Sequence, residues 1–506
     1  MVDVEMQLES ITFTPGQSTP HKESNSDLPK IDKATATKWA RYLNEDILYL
    51  VLEHAYFDEL LRPDYPQLAK YALVAKAWRE PAQRLIFHEI SIKDDRAFKC
   101  ISRLFSSLPK NSKSAPTDDD LNDSTIQVVS RCEWLRSCVR VLNFWIYKTG
   151  RMSNTWETRF ANVMTWFPAL YELRLGVDVA TRLQDSTIAK LNASTAPKLR
   201  ALQIAMRPAE DGSRPTQSVL PFQLLTAVTK WKLEHLVVRG DNFRLSGHTE
   251  FGPVPHQLHE FRWSVQNTTN AKEVDDCISY LTANSHKTLE VIHIPSPLHP
   301  IVLQSMATLR SLRVETQYGI PKQLGGLKEL IIADKVGSLP KDVSFYSSLP
   351  RHIIHLGIFT TYVEDDAAIN TLGHKLPQKL QRLSIYTDKV LWDQDAANRR
   401  LQEAGRGKVP KTPSITSTDP ADRKLLARTW KMLDVNIQVY TWSGDIMSKI
   451  GQRSDLVRST HYPRGVTVEN MRYMSRVVGA EDSSGRRRKS IKVGGLDGMK
   501  KVFGFS

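Results

Sequence analysis

Leu289-Glu290-Val291-Ile292-His293-Ile294 is followed twenty residues later by Leu309-Arg310-Ser311-Leu312-Arg313-Val314, and eighteen residues after that by Leu327-Lys328-Glu329-Leu330-Ile331-Ile332. Each stretch has one apolar residue, two positions of any character, then two apolar residues separated by one. The last two share one side of an extended chain, because successive side chains of a strand point to opposite faces. The same phrase begins at Val139, Leu170, Leu199, Leu233 and Leu258 upstream, and at Ile353 and Leu380 downstream. Successive starts differ by 31, 29, 34, 25, 31, 20, 18, 26 and 27 residues, which is a repeat array with uneven connectors. Amphipathic stretches such as 185–191 and 274–281 fill the longer gaps, and Pro295, Pro297, Pro300 and Pro321 make the shorter ones extended turns.

The phrase resembles the strand portion of leucine-rich repeats, although the Asn that usually closes that motif is missing. The resemblance implies parallel strands stacked side by side, with helices or turns outside and a concave strand face that binds a partner. A single globular α/β sheet is the competing fold, but steps of 18 and 20 residues are short for its crossovers. Positions flanking the inward residues, Arg174, Gln203, His235, Arg239, Arg262, His293, Arg313, His355, Arg382 and Tyr386, are expected on that concave face. Its five arginines are of a type that pairs with carboxylate or phosphate, so Arg174, Arg239, Arg262, Arg313 and Arg382, with Tyr386, are the candidate substrate-binding residues. Ordinary charged strand positions are the competing account.

Ahead of the repeats, Ile47, Leu48, Val51, Leu52 and Ala55 fall at helical spacing, with Asn44 placed to cap and Glu45 and Asp46 in the first turn. After Pro63 and Pro66, Leu73, Val74, Ala77 and Trp78 suggest a second helix running to Pro81, which must end it or begin another. A third short segment, 81–87, leads to the strand-like 89–92.

Leu43-Asn44-Glu45-Asp46-Ile47-Leu48-Tyr49-Leu50-Val51-Leu52 resembles the opening of the F-box family in its divergent fungal form, and Tyr71-Ala72-Leu73-Val74-Ala75-Lys76-Ala77-Trp78-Arg79 is similar to that family's Leu-Val-x-Lys-x-Trp core. Asn44 stands where the family usually has Pro. The resemblance covers about fifty residues, and it implies docking onto the Skp-type adaptor of a Skp-cullin-F-box ubiquitin ligase. Leu43, Ile47, Leu48, Val51, Leu73, Val74 and Trp78 are the candidate contacts. A helical unit this short cannot seal two apolar faces alone, although such a stripe can also be internal core.

The expected organisation is a loose segment 1–36, a helical module 37–92, a first strand-helix unit with a soft loop 93–125, an irregular leucine-rich-repeat solenoid of α/β class 126–440 with an insertion near 393–422, and a basic tail 441–506. The 506 residues exceed what one core usually serves. Net charge is +14, but residues 423–506 hold 17 Lys/Arg and 7 Asp/Glu, leaving only +4 for the rest. Charge is thus a tail property, and the run Arg486-Arg487-Arg488-Lys489 reads as a solvated arm or a nuclear-import signal, which makes nucleic acid an unlikely partner. The first thirty residues lack a basic start and an apolar run, and no stretch is apolar enough to span a bilayer, so a cytoplasmic or nuclear protein is expected.

Four cysteines without CxxC spacing imply no disulfide framework, and neither phosphate-cradling loops nor nucleophile elbows nor metal-binding His-Glu-x-x-His stretches occur. No catalysis, cofactor or metal is expected. A protein substrate of unknown identity, a Skp-type adaptor and through it a cullin are the expected partners. A repeat scaffold without ligase function, or a basic nuclear protein, are the alternatives.

Overall fold

Every one of the ten phrases forms a strand, and the ten lie in sequence order within one sheet, as a computed structural model of the protein shows. The structure describes residues 45–56, 64–105, 123–146, 153–178, 183–193, 199–207, 216–218, 220–228, 231–241, 243–245, 251–266, 271–316, 318–333, 343–359, 377, 379–388, 436–442 and 475–479. All of them fall within one unit, residues 43–488. The expected terminal segments, the insertion near 393–422, the helix-like stretch 423–433 and the run Arg486 to Lys489 lie outside the described residues.

The strands are β1 (Glu89–Ile92), β2 (Val141–Ile146), β3 (Glu172–Asp178), β4 (Ala201–Arg207), β5 (Thr216–Ser218), β6 (His235–Asp241), β7 (Phe243–Leu245), β8 (Glu260–Gln266), β9 (Val291–Ile294), β10 (Ser311–Val314), β11 (Glu329–Ile332), β12 (His355–Phe359), β13 (Arg382–Asp388), β14 (Asn436–Trp442) and β15 (Ser475–Gly479). Thirteen of them form an open sheet in the order β1-β2-β3-β4-β6-β8-β9-β10-β11-β12-β13-β14-β15, while β5 and β7 pair separately. Neighbours from β1 to β14 run parallel, and β15 closes the series antiparallel to β14. The protein is therefore of α/β class with an extended parallel sheet. The stretch 89–92, expected beside the helical module, is the first strand of this sheet. The expected closing strand at Val435-x-Ile437-x-Val439 is present as β14, and β15 beyond it was not foreseen.

Register explains the core. Leu142, Leu173, Leu202 and Leu236 stand opposite one another in successive strands, and so do Phe144, Leu175, Ile204 and Val238. All are buried, as are the leading residues of the phrases from Val139 to Leu380. Burying three large aliphatic side chains per repeat contributes on the order of 5 kcal/mol per repeat before chain entropy is counted. Helices occupy the long gaps, including Asp185–Ala193 and Ala271–Thr282, whose Val274, Cys277, Ile278 and Leu281 face the core at helical spacing.

A second device joins the repeats. The residue before each strand gives its carbonyl to two amides of the next repeat: Glu290 O receives Arg310 N at 2.9 Å and Ser311 N at 3.0 Å, and Arg310 O receives Lys328 N and Glu329 N at the same distances. The pattern runs from His88 to Ile354 and satisfies backbone groups that no helix or ladder would reach. Just ahead of two leading leucines, Ser285-x-x-Thr288-Leu289 and Ser305-x-x-Thr308-Leu309 each fold as a tight turn, and each Thr hydroxyl donates to the carbonyl that leads the preceding repeat. At the equivalent place in the next repeat Gly326 approaches so closely that a Cβ would lie 3.3 Å from Leu309 O.

Three helices precede the sheet: α1 (Glu45–His54), α2 (Tyr65–Ala72) and α3 (Lys76–Ile86). Asp64 caps α2 by accepting Gln67 N at 3.1 Å. The second helix differs from the expectation. It ends at Ala72, Leu73 and Val74 form a turn in which both amides return to Lys70 and Tyr71 carbonyls, and Ala75 takes an extended backbone before α3 begins. Nor does Pro81 break the chain, because it lies inside α3, buried among Trp78, Ala82 and Leu85. Packing of that apolar face outweighs the one hydrogen bond that the proline removes.

Candidate docking surfaces

The module has its own core, distinct from that of the sheet. Leu48, Leu52, Tyr56, Leu68, Trp78, Ala82 and Leu85 pack together, with Tyr71 against the Trp78 ring at 5.7 Å. Two candidate contacts are thereby corrected: Leu48 is 0% exposed and Trp78 5%, so both hold the helices together and neither can reach a partner. Val51 is half-buried at the edge of this core. Leu43 lies outside the described residues.

The other candidates face outward. Leu73 is 79% exposed, Val74 51% and Ile47 47%. The turn between α2 and α3 is the cause, since it lifts Leu73 and Val74 off both helices. Leu50, one turn from Ile47 on the outer face of α1, is exposed too and was missed. Ile47 and Leu50 share one face of the helix and Leu48 and Leu52 another, and packing, not spacing, decides which face is covered. Half of the large apolar side chains exposed among the described residues thus sit in this one module, where scattered single exposures would be ordinary.

The module is tied to the sheet by polar contacts. The Tyr65 hydroxyl donates to Glu89 O on β1 at 2.9 Å, and Arg131 of the helix Asp123–Cys138 bridges to Glu80 at 3.4 Å and bonds Gln83. Burial and then the Glu89 carboxylate push the Tyr65 phenol well above its ordinary value, so it stays a donor.

On the strand face the candidate arginines meet their neighbours. Arg174 donates to Glu172 at 2.6 Å and to Glu89 at 3.1 Å, while Asn143 binds Glu89 at 2.6 Å. Arg262 is 2% exposed and bonded to Glu260, which also faces His235 at 3.0 Å. With its amide oxygen turned toward it, Gln203 accepts from Arg239 Nη2 at 2.6 Å and Nε at 2.9 Å. Arg313 lies over the Phe359 ring at 5.2 Å, and the half-buried Arg382 acts on Glu329. Tyr386 belongs to β13, with its side chain outside the described residues. Glu329 accepts from Ser311 at 2.6 Å and meets His355 at 3.2 Å, and His355 meets Ser384 at 3.0 Å.

The strand face is therefore a cross-linked polar layer in which most of these arginines already have a partner. The expectation of arginines open to an acidic ligand is corrected, and the cause is plain: register sets Glu260 opposite His235 and Glu329 opposite His355, while Glu172 lies two residues from Arg174 on one face of the same strand. Burial would raise the Glu260 carboxyl, but Arg262 and His235 outweigh it and hold it below its ordinary value. Glu329 is likewise lowered, against burial, by its hydrogen bond from His355, with Ser311 and Arg382 contributing.

Among the described residues no three His, Cys, Asp or Glu side chains gather as a metal site, and no helix is long and apolar enough to cross a membrane. A scan against protein-family models matches none, and a search of curated proteins finds no match.

Proposed function

We propose that the chain is the substrate-recognition adaptor of a Skp-cullin-F-box type ubiquitin ligase, its helical module docking a Skp-type adaptor and its strand array, of irregular leucine-rich-repeat type, holding a protein substrate. The observation that carries this reading is the exposed Leu73-Val74 turn. A short three-helix unit with a complete core of its own still presents two large aliphatic side chains to water, and this turn falls within the stretch whose sequence is similar to the F-box core. Surfaces of that kind are finished by a partner's apolar groove. The array behind it has the repeat spacing and parallel order suited to presenting an extended face to another protein.

The test is co-purification of the full chain with a Skp-type adaptor, comparing the unaltered protein with Leu73→Asp/Val74→Asp. Both positions are exposed, so thermal unfolding should be unchanged while adaptor capture is lost. Capture that survives this pair of substitutions sinks the docking surface. An unaltered chain that never captures the adaptor favours a repeat scaffold with no part in ubiquitin transfer.

A further inference from the structure

The exposed turn is flanked by exposed cations. Between residues 64 and 105 every lysine and arginine is exposed: Lys70, Lys76, Arg79 and Arg84 in the module, then Lys93, Arg96, Lys99 and Arg103. Every carboxylate in the same stretch is already engaged. Asp64 caps α2, Asp94 accepts Ala97 N at 2.7 Å, and Glu80, Glu89 and Asp95 pair with Arg131, Arg174 and Arg159.

The helix dipole does not favour the cations nearest the turn. Lys76 opens α3 and Arg79 lies in its first turn or just beyond, with no acidic residue there and no side-chain cap on the helix. Positive charge at that end opposes the helix dipole. Lys70, by contrast, sits in the last turn of α2, where a cation is favourable.

We infer that the partner surface covering Leu73 and Val74 is an apolar groove bordered by carboxylates, and that Lys70, Lys76 and Arg79 form the cationic rim that steers it into place. This inference rests on the adaptor reading and adds the chemistry of the surface that reads the turn. Complementary rims act chiefly on the rate of encounter, and they act only within about 10 Å at an ionic strength of about 0.1 M. The apolar pair supplies the residence time, and the rim supplies the speed and the orientation.

The experiment measures association and dissociation of the full chain with an immobilised Skp-type adaptor over a range of salt. For the unaltered chain the association rate should fall several-fold between about 50 mM and about 300 mM salt, with little change in dissociation. Lys76→Glu/Arg79→Glu should slow association about tenfold and abolish most of its salt dependence. Loss of folding cannot mimic that result, since acidic residues at the start of α3 favour the helix, and a thermal melt checks it. Lys76→Gln/Arg79→Gln should lie between. Arg96→Glu/Lys99→Glu makes the same change in net charge on the helix Asp95–Phe105 and should alter association much less.

Association indifferent to salt, or equal slowing by the two charge-reversed pairs, overturns the rim. If Leu73→Asp/Val74→Asp abolishes capture while Lys76→Glu/Arg79→Glu does not slow it, docking stands and the acidic border falls. Failure of the unaltered chain to bind the adaptor removes both.

Discussion

The hydroxyl of Thr308 donates to the carbonyl of Leu289 at 2.7 Å, one repeat after Thr288 does the same to Leu258 at 2.8 Å. Two consecutive repeats thus carry the same bond between the residue before the leading leucine and the leading leucine behind it. Replacing Thr308 by Val keeps the shape and removes the donor. The expected loss is about 1 kcal/mol in urea unfolding, because the carbonyl of the buried Leu289 loses its partner. A variant as stable as the parent means that the bond is incidental to the turn.

Leu48→Ala and Leu73→Ala separate core from surface within the module. The first empties a fully buried site and should cost about 2–5 kcal/mol, or melt the module separately from the sheet. The second should change stability by less than about 0.5 kcal/mol. Differential scanning calorimetry reads both, and equal losses would contradict the assignment of Leu48 to the core and Leu73 to the surface.

Acid should loosen the strand face. The Glu260 carboxyl is held below its ordinary value of 4.5, so its pairing contributes in full above that pH and is lost as pH falls below 4.5 through the folded-state value. Glu329 has the same sign. Urea midpoints measured from about pH 6 to about pH 3 should therefore drop less steeply in Glu260→Gln than in the parent, although the variant starts lower. Parallel pH profiles would show that the pairing is not coupled to folding.

Gly176 faces Trp145 across β2 and β3, and a Cβ there would fall inside the indole's contact distance. Gly176→Ala should destabilise by about 1–3 kcal/mol, and Trp145→Leu made together with it should recover part of the loss. Strict additivity in that double-mutant cycle would place the strain elsewhere.

These relationships divide into what local pattern can carry and what it cannot. The ten strands were legible because alternation and a leading leucine are properties of six adjacent residues, and Val139, Leu289 and Leu380 announce their strands alike. The turn at Leu73 was not, because its apolar spacing matches a helix as well as it matches a turn between two helices, and only tertiary packing decides. Pro81 misled for the same reason. The arginine partners were further from reach: Glu89 is 85 residues from Arg174, and no spacing within the phrase reveals that register brings them together. Of the seven proposed adaptor contacts, Leu73, Val74 and Ile47 are exposed, and Leu48 and Trp78 are structural.

The Tyr65 hydroxyl that reaches Glu89 O has a mechanical consequence. Pulling the helices away from β1 would strip a donor from a strand carbonyl and leave the leading edge of the sheet bare. Tension applied at Leu73 would therefore meet the first strand through α2 and its Tyr65 bond. Load taken up at the turn would thus be felt first by the opening strand of the array.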